Sequence, residues 1–200
     1  MSTTFALKNG LVVDFSPLAT KVSDEEFDEL CRLNPELQIE RTSERDLVIM
    51  APTSGKSGRR NAKLIARVTI WAEQDGSGQV FDSSTVFSLP NNARRSPDVS
   101  WVRNERWNAL SAREQEAFPP LCPDFVVDFR SRTDSLVVLQ TQMEEYIDNG
   151  AQLGWLIDPL ERQVHIYRPG GPPVVLNNPE EVSGEPLLNG LVLDVRALWD

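Results

Sequence analysis

The chain has 200 residues, of which 40% are hydrophobic and 25% are charged, and its formal net charge is -10. This composition predicts one globular domain spanning residues 1–200, and it includes no apolar run approaching the roughly 18–20 residues of a membrane span. The acidic balance excludes a protein that coats nucleic acid by bulk positive charge. The first residues lack the basic stretch and apolar segment of a secretory signal, so we expect a cytoplasmic protein.

The cysteines and the histidine limit the possible site chemistry. Cys31 and Cys122 match neither a zinc motif nor a disulfide framework, and we expect both to be buried as small hydrophobic residues. His165 has no Ser or Cys nucleophile motif around it, which disfavours catalytic triads and zinc chemistry. We therefore predict a structural role for His165 on a strand.

The first predicted elements are a helix and a hairpin. The segment SDEEFDELCRLNPELQ opens with Ser23 as helix cap and Glu26 at the capping-box position, and it ends near Asn34 and Pro35. The segments QIERT and DLVIMAP then predict two paired strands joined by the polar turn SERD.

An amphipathic helix with one basic edge is predicted next, over residues 56–71, KSGRRNAKLIARVTIW. Its apolar stripe is formed by Leu64, Val68 and Trp71. The candidate nucleic-acid contacts are four of its five cations: Lys56, Arg59, Lys63 and Arg67. Two interpretations stay open for this edge, a solvated surface or a surface that contacts phosphates.

Strands and helices alternate through the rest of the chain. GQVFDSSTVFSLP and SPDVSWVR predict strands separated by the turn-like NNARR, and residues 103–116 are compatible with a surface helix. After the strand PDFVVDFR, the segment TDSLVVLQTQMEEYIDNG predicts a helix from a Thr133/Asp134 cap to Gly150. GWLIDP and RQVHIYRP predict a hairpin around PLER, and PPVVLNN and LVLDVRALW end the chain. This order predicts an α/β or α+β fold with a mixed sheet.

Two of these strands each carry one acid on the face opposite an apolar face. Alternation places Asp98 with Ser100 and Val102, and it places Asp128 with Val126 and Arg130. If the strands are neighbours, the two carboxylates converge and repel unless a cation lies between them. Mg²⁺ suits such a site, where it can polarise a phosphoryl group and activate water. Strand carboxylates that face solvent or pair with Arg are the alternative.

The two acidic motifs resemble those of the PD-(D/E)XK nuclease superfamily. More closely, the ordered segments NPELQIERT, LVIMAPTSG, VFDSSTVFSLP, RSPDVSWV, PDFVVDFRSRTDSL, QMEEYIDNGAQLGWLIDP and VHIYRPG resemble the Uma-type putative restriction endonuclease family, which is abundant in cyanobacteria. The resemblance spans about Asn34 to about Gly170. It implies a restriction-endonuclease-like fold, with a mixed central sheet flanked by helices and added strands, and hydrolysis of DNA phosphodiesters with Mg²⁺ or Mn²⁺.

The resemblance also implies roles for individual residues. Asp98 would be the first metal ligand and Asp128 the second, and the main-chain carbonyl of Phe129 could complete the site. Glu40 matches an acid of the family that orients water or metal. Its alternative is a strand-surface glutamate paired with Arg41 or Arg45.

Two departures from the family pattern bear on activity. The family usually has Glu at Asp128, and it has a catalytic Lys where this chain has Gln142. Gln cannot supply the cation that stabilises developing phosphorane charge, although it can position water. Arg130 could stabilise a phosphate or simply neutralise Asp128.

Two functions therefore remain open at this level. One is a metal-dependent DNA endonuclease, and the other is a catalytically impaired module that binds nucleic acid or assembles with partners. We also expect a homodimer, because cutting both strands of a duplex usually recruits two active sites and two-fold pairing is the commonest oligomer.

Overall fold

The computed structural model describes residues 21–50 and 52–199, together with the backbone of two short strands near the start of the chain. Its helices are α1 (Asp24–Leu33), α2 (Gly55–Asp75), α3 (Asn104–Asn108), α4 (Ala112–Glu116) and α5 (Leu136–Asp148). Its strands are β1 (Thr4–Ala6), β2 (Val12–Asp14), β3 (Ile39–Arg41), β4 (Leu47–Ile49), β5 (Gly78–Asp82), β6 (Phe87–Ser88), β7 (Arg94–Arg95), β8 (Val99–Arg103), β9 (Phe125–Phe129), β10 (Leu153–Asp158), β11 (Gln163–Tyr167), β12 (Val174–Asn177), β13 (Glu181–Ser183) and β14 (Val192–Asp194).

A mixed six-stranded sheet forms the centre of the fold, in the order β12-β11-β10-β9-β8-β5. Strands β9 and β10 are parallel, because α5 crosses over between them, and the other neighbours are antiparallel. A four-stranded sheet in the order β4-β3-β7-β6 lies beside it. This arrangement confirms the predicted mixed sheet flanked by helices.

The central strand β9 is buried on both faces, which explains its nearly continuous apolar sequence. On one face, Val127 belongs to the buried cluster that includes Leu64 and Val68 of α2. On the other face, Val126 belongs to the cluster that includes Met143 of α5. The two helices therefore hold the central strands from opposite sides.

The first helix and hairpin form as predicted. Ser23 Oγ accepts a hydrogen bond from the Glu26 N–H at 3.2 Å, and the Glu26 carboxylate accepts one from the Ser23 N–H at 2.7 Å. Strands β3 and β4 pair antiparallel, with Glu40 opposite Val48.

Other element boundaries differ from the predictions. Residues 103–116 form two short helices, α3 and α4, rather than one. The segment GQVFDSSTVFSLP divides into β5 and β6. The last helix, α5, begins at Leu136 rather than at a Thr133/Asp134 cap, because the Asp134 carboxylate accepts the Ser131 N–H at 2.7 Å in the preceding loop.

The structure places the cysteines and the histidine as follows. Cys122 is fully buried and the pKa of its thiol is raised to about 12 by burial, whereas Cys31 is only partly buried. His165 lies on a strand, β11, as predicted, and its side chain is buried. Among the helices of residues 21–50 and 52–199, none has the length and apolarity needed to cross a membrane.

Arg41 holds α1 against the smaller sheet. Its guanidinium is fully buried and donates to the Val22 carbonyl at 3.0 Å, to the Asn92 carbonyl at 2.7 Å and to the Asp24 carboxylate. It also lies 5.6 Å from the centre of the Phe27 ring. The residue next to it in β3 is Glu40, so Arg41 anchors the strand that carries this acid.

We expect Arg41→Met to lower the free energy of unfolding by about 3 kcal/mol, because it leaves buried carbonyls and Asp24 without their donor. Urea denaturation measures this. The control is Arg32→Met, which removes an exposed ion pair between Arg32 and Glu29, both on α1. This variant should lower the free energy of unfolding by less than about 0.5 kcal/mol.

The Arg41 hydrogen bond lowers the pKa of Asp24, so the stability that this pair contributes is present above the ordinary pKa of aspartate and is lost as the pH falls. The difference between wild type and Arg41→Met should therefore shrink in acid. Equal losses in the two arginine variants would contradict the anchoring role.

Candidate functional site

Asp98 and Asp128 face each other across neighbouring strands. In the antiparallel register of β8 and β9, Val99 lies opposite Val127, and one further step sets Asp98 opposite Asp128. The Asp98 N–H donates to Asp128 Oδ1 at 3.2 Å. The structure therefore brings together the two acids that alternation had placed on matching faces.

Each aspartate accepts one backbone N–H and one side-chain amide. Asp98 Oδ2 accepts the Phe129 N–H at 2.7 Å, and Asp98 Oδ1 accepts Asn61 Nδ2 of α2 at 2.7 Å. Asp128 Oδ1 accepts the Asp98 N–H, and Asp128 Oδ2 accepts Gln142 Nε2 of α5 at 3.3 Å. Two helices on opposite faces of the sheet thus each supply an amide to one acid.

The Phe129 carbonyl points toward the strand that follows Asp98. The Arg130 N–H donates to the Ile157 carbonyl in β10 at 2.9 Å. In a trans peptide the C=O and the following N–H point in opposite directions, so the Phe129 carbonyl faces β8. This orientation is compatible with a main-chain oxygen beside the acidic pair.

The protein environment disfavours the ionised forms of Asp98 and Asp128. Burial raises the pKa of Asp98 to about 6, although the hydrogen bonds from Phe129 and Asn61 act in the opposite direction, and the charges of Asp134 and Glu40 add to the rise. Burial also raises the pKa of Asp128 well above its ordinary value, and the charges of Asp98 and Glu40 add to this effect. A bound cation would relieve both costs.

Glu40 is buried and belongs to the same polar region. Its Oε1 accepts the Ser96 N–H at 2.8 Å and the Ser96 hydroxyl at 3.0 Å, two residues before Asp98. Its Oε2 accepts Arg95 at 3.1 Å. The alternative of a surface glutamate paired with Arg41 or Arg45 is therefore wrong, because β3 turns this side chain toward β7.

Arg95 joins Glu40 to α5. Its Nε donates to Glu145 at 2.6 Å, and the side chain is only about one-tenth exposed. Burial opposes the charge of Arg95, but the negative charges of Glu40 and Glu145 outweigh burial and raise the pKa of the guanidinium. Its positive charge also acts on Asp128, whose pKa it lowers slightly against the larger raising effects.

Gln142 is fixed by two acceptors. Its Nε2 donates to Asp128 Oδ2 at 3.3 Å and to the Tyr146 hydroxyl at 3.2 Å. Tyr146 is fully buried, and burial raises the pKa of its phenol well above the ordinary value, with the charges of Asp128 and Glu40 adding to it. Both amide hydrogens of Gln142 are therefore used within the protein, and its Oε1 is the atom left to accept from water.

Arg130 pairs with a different aspartate from the one expected. Its guanidinium donates to Asp158 Oδ2 at 2.7 Å, and Asp158 is fully buried at the end of β10. The ion pair between Arg130 and Asp128 does not form, because Arg130 follows the last residue of β9 and turns toward β10.

The basic edge of α2 divides into two parts. Lys63 donates to the Ala197 carbonyl at 3.1 Å. The hydrogen bond from Arg196 lowers the pKa of Asp194, and the charge of Arg67 adds to this effect. Lys56 and Arg59, in the first turns of α2, are exposed. The C-terminal segment therefore contacts the part of this edge that contains Lys63. Lys56 and Arg59, which precede Asn61 on the helix, face solvent.

Several residues of this region were not predicted from the sequence. Asn61, Arg95, Ser96 and Tyr146 each contact an acid or amide of the site, and Glu145 contacts Arg95. Asn61 carries a weak signal, since it lies one turn before Leu64 on the buried side of a helix that is otherwise cationic there. The others depend on how β7 and α5 pack beside β9.

The donor set fits an ion that needs few protein ligands. Over residues 21–50 and 52–199, no three acidic, histidine or cysteine side chains are grouped closely enough to hold a metal by themselves. The available oxygen ligands are the carboxylates of Asp98 and Asp128 and the main-chain carbonyl of Phe129. Mg²⁺ typically binds one or two carboxylates and retains several waters.

Comparisons with known proteins agree with the fold. A family model described as "Uma2: Putative restriction endonuclease" matches residues 24–196. The crystal structure of a putative nuclease belonging to DUF820 from Anabaena variabilis ATCC 29413 is similar, with a TM-score of 0.70 and 20% identity over 80% of this chain and 89% of that chain. No curated protein matches.

We expect Asp128→Asn to raise the thermal unfolding midpoint of the metal-free protein at neutral pH by about 2–4 °C, or about 1 kcal/mol in a chain of this size. The raised pKa values mean that ionisation of the pair destabilises the fold as the pH rises above the ordinary aspartate range. The gain should therefore shrink in acid.

The matched control is Asp158→Asn, the same change on the neighbouring strand. Arg130 compensates Asp158, so this variant should lose about 3 kcal/mol of stability. Destabilisation of similar size in both variants would contradict the repulsion between Asp98 and Asp128.

Proposed function

We propose that this chain, which belongs to the Uma2 family of putative restriction endonucleases, is a divalent-metal-dependent DNA endonuclease that hydrolyses phosphodiester bonds. The family and the fold are nuclease-like, and the proposal extends them to a substrate, an ion and a set of residues. The supporting observation is the cross-strand pair formed by the buried Asp128 and the partly buried Asp98, in which the Asp98 N–H donates to Asp128 Oδ1 at 3.2 Å.

In this proposal Asp98 and Asp128 hold Mg²⁺ or Mn²⁺, with the Phe129 carbonyl as a further oxygen ligand. Such an ion would polarise a phosphoryl oxygen and lower the pKa of a water molecule. Both ions accept hard oxygen ligands, so the donor set suits either.

The remaining residues orient groups around the acids. Glu40 is held by Ser96 and Arg95, so it can accept from a water near Asp98 without moving. Gln142 Oε1 can also accept from water, but it supplies no positive charge to the developing phosphorane. Lys56 and Arg59 neutralise substrate phosphates in the first turns of α2.

The proposed cleavage of duplex DNA also implies an oligomeric state and a location for the protein. Cutting both strands is easiest when two copies act together, so a homodimer belongs to the proposal. A cytoplasmic location, where DNA is accessible, belongs to it as well.

One observation favours a second candidate function. Gln142 stands at the position of the family lysine, and both of its amide hydrogens are occupied by Asp128 and Tyr146. Without that cation, the fold could serve as a nucleic-acid-binding or assembly module that does not cleave. Such a module would bind DNA in a salt-sensitive way through Lys56 and Arg59 and would form no metal-dependent product.

We expect the protein to nick supercoiled plasmid DNA when Mg²⁺ or Mn²⁺ is present, and Asp98→Ala to reduce the rate by more than about 100-fold, beyond the usual effect of losing an outer-shell partner. Gel analysis of nicked and linear products measures the rate. Asp148→Ala removes an exposed acid of α5 and should cleave like wild type. Cleavage that survives Asp98→Ala would reject the assignment.

We expect Gln142→Lys to increase cleavage by about 10- to 100-fold, because its ammonium would lie beside Asp128 and could stabilise phosphorane charge. The control is Gln140→Lys, which adds the same charge two residues away and on a different side of α5. Equal rates in the two lysine variants would argue that a general increase in DNA affinity, rather than a restored catalytic cation, is responsible. A Gln142→Lys variant that binds DNA but forms no product would favour the module.

A further inference from the structure

We propose that Asn61 is a positioning residue of the site, which fixes Asp98 through its amide nitrogen and accepts a hydrogen bond from a site water through its amide oxygen. This inference rests on the proposed function, because it assigns a role at the same acidic pair. It is carried by the bond from Asn61 Nδ2 to Asp98 Oδ1, at 2.7 Å, and by the state of the other amide atom.

The helix holds Asn61 rigidly against the sheet. Leu64, three residues later on α2, is fully buried, and so is Val68 one turn beyond it. On the outer side of the same turns, Arg60 donates to the Trp199 carbonyl at 3.1 Å and Lys63 donates to the Ala197 carbonyl at 3.1 Å. The core and the C-terminal segment therefore contact α2 on two sides, and these contacts fix the position from which the Asn61 side chain projects.

The amide nitrogen completes the fixation of Asp98. The Phe129 N–H already holds Asp98 Oδ2 at 2.7 Å, and Asn61 holds the other oxygen. With a donor on each oxygen, the carboxylate cannot rotate freely about its last bond. One lone pair on each oxygen remains available, because a carboxylate oxygen accepts more than one bond.

The amide oxygen has no donor within the protein as described. Asn61 Oδ1 is buried, and no hydrogen-bond donor of residues 21–50 or 52–199 reaches it. Buried polar atoms are almost always paired, by protein groups or by ordered water. The neighbouring acids accept but do not donate when ionised, so water is the donor that serves Asn61 Oδ1 and the carboxylates together.

An amide suits this place better than a third acid. Burial already raises the pKa values of Asp98 and Asp128, and the negative charge of Glu40 adds to both shifts. Asn61 offers a carbonyl acceptor without adding a negative charge. It also mirrors Gln142, whose amide holds Asp128 from the opposite face of the sheet at 3.3 Å.

The test measures Mn²⁺ binding to the full chain by titration calorimetry, in wild type, Asn61→Ala and Asn61→Leu. The Leu variant keeps the volume of the side chain and removes both polar atoms, so it separates lost chemistry from lost packing. Asn104→Ala is the matched control, because Asn104 donates its amide to the Gly76 carbonyl at 2.8 Å beyond the far end of α2.

We expect both Asn61 variants to bind Mn²⁺ about tenfold more weakly, the range typical of losing a partner that orients a metal ligand. Asn104→Ala should bind like wild type, and the thermal midpoints of the metal-free Asn61→Leu and wild-type proteins should be similar. A merely structural role would lower the thermal midpoint and leave the dissociation constant unchanged.

The outcomes separate this inference from the proposed function. If wild type binds Mn²⁺ and both Asn61 variants bind it equally well, the role of Asn61 is overturned and the metal site stands. If wild type does not bind Mn²⁺ at all, the proposed metal-dependent function and the role of Asn61 are overturned together.

Discussion

The closeness of two carboxylates, the buried Asp128 and the partly buried Asp98, is the constraint around which this region is built. Strand register sets the two residues opposite each other, and burial together with the charge of Asp98 disfavours the ionised form of Asp128. Each acid accepts hydrogen bonds from one backbone N–H and one side-chain amide, and neither accepts one from a lysine or arginine side chain of residues 21–50 or 52–199. These neutral donors hold the carboxylates in place but leave much of their charge uncompensated.

The arginines around the pair are directed to other acids. Arg95 lies between Glu40 and Glu145, and Arg130 binds the fully buried Asp158. Because each guanidinium has its own carboxylate partner, neither neutralises Asp98 and Asp128 directly. The result is a region with many polar contacts in which no guanidinium of the described residues binds the carboxylates of the pair.

Gln142, which stands where the family usually has lysine, also makes only neutral contacts with the site. A lysine there would bring a positive charge to Asp128 and to the buried Tyr146 hydroxyl, whereas Gln142 brings only amide hydrogens. The fold and the membership in the Uma2 family are unaffected by this change, because both depend on the sheet and its flanking helices. What changes is the charge available at the moment when a phosphodiester would be attacked.

The sequence by itself determined the elements and the faces on which the two aspartates lie. Capping at Ser23, the apolar stripe of α2 and alternation in β8 and β9 are local signals, so they could be predicted without knowledge of the partners. The fold class followed from their order and from the family resemblance. The roles of the site residues stay predictions.

The tertiary structure alone decided the partners. It buried Glu40, joined Arg130 to Asp158, directed Lys63 to Ala197 and brought Asn61 to Asp98. Contacts between residues far apart in the chain depend on which strands adjoin and how helices rest on them, and no local pattern encodes these choices.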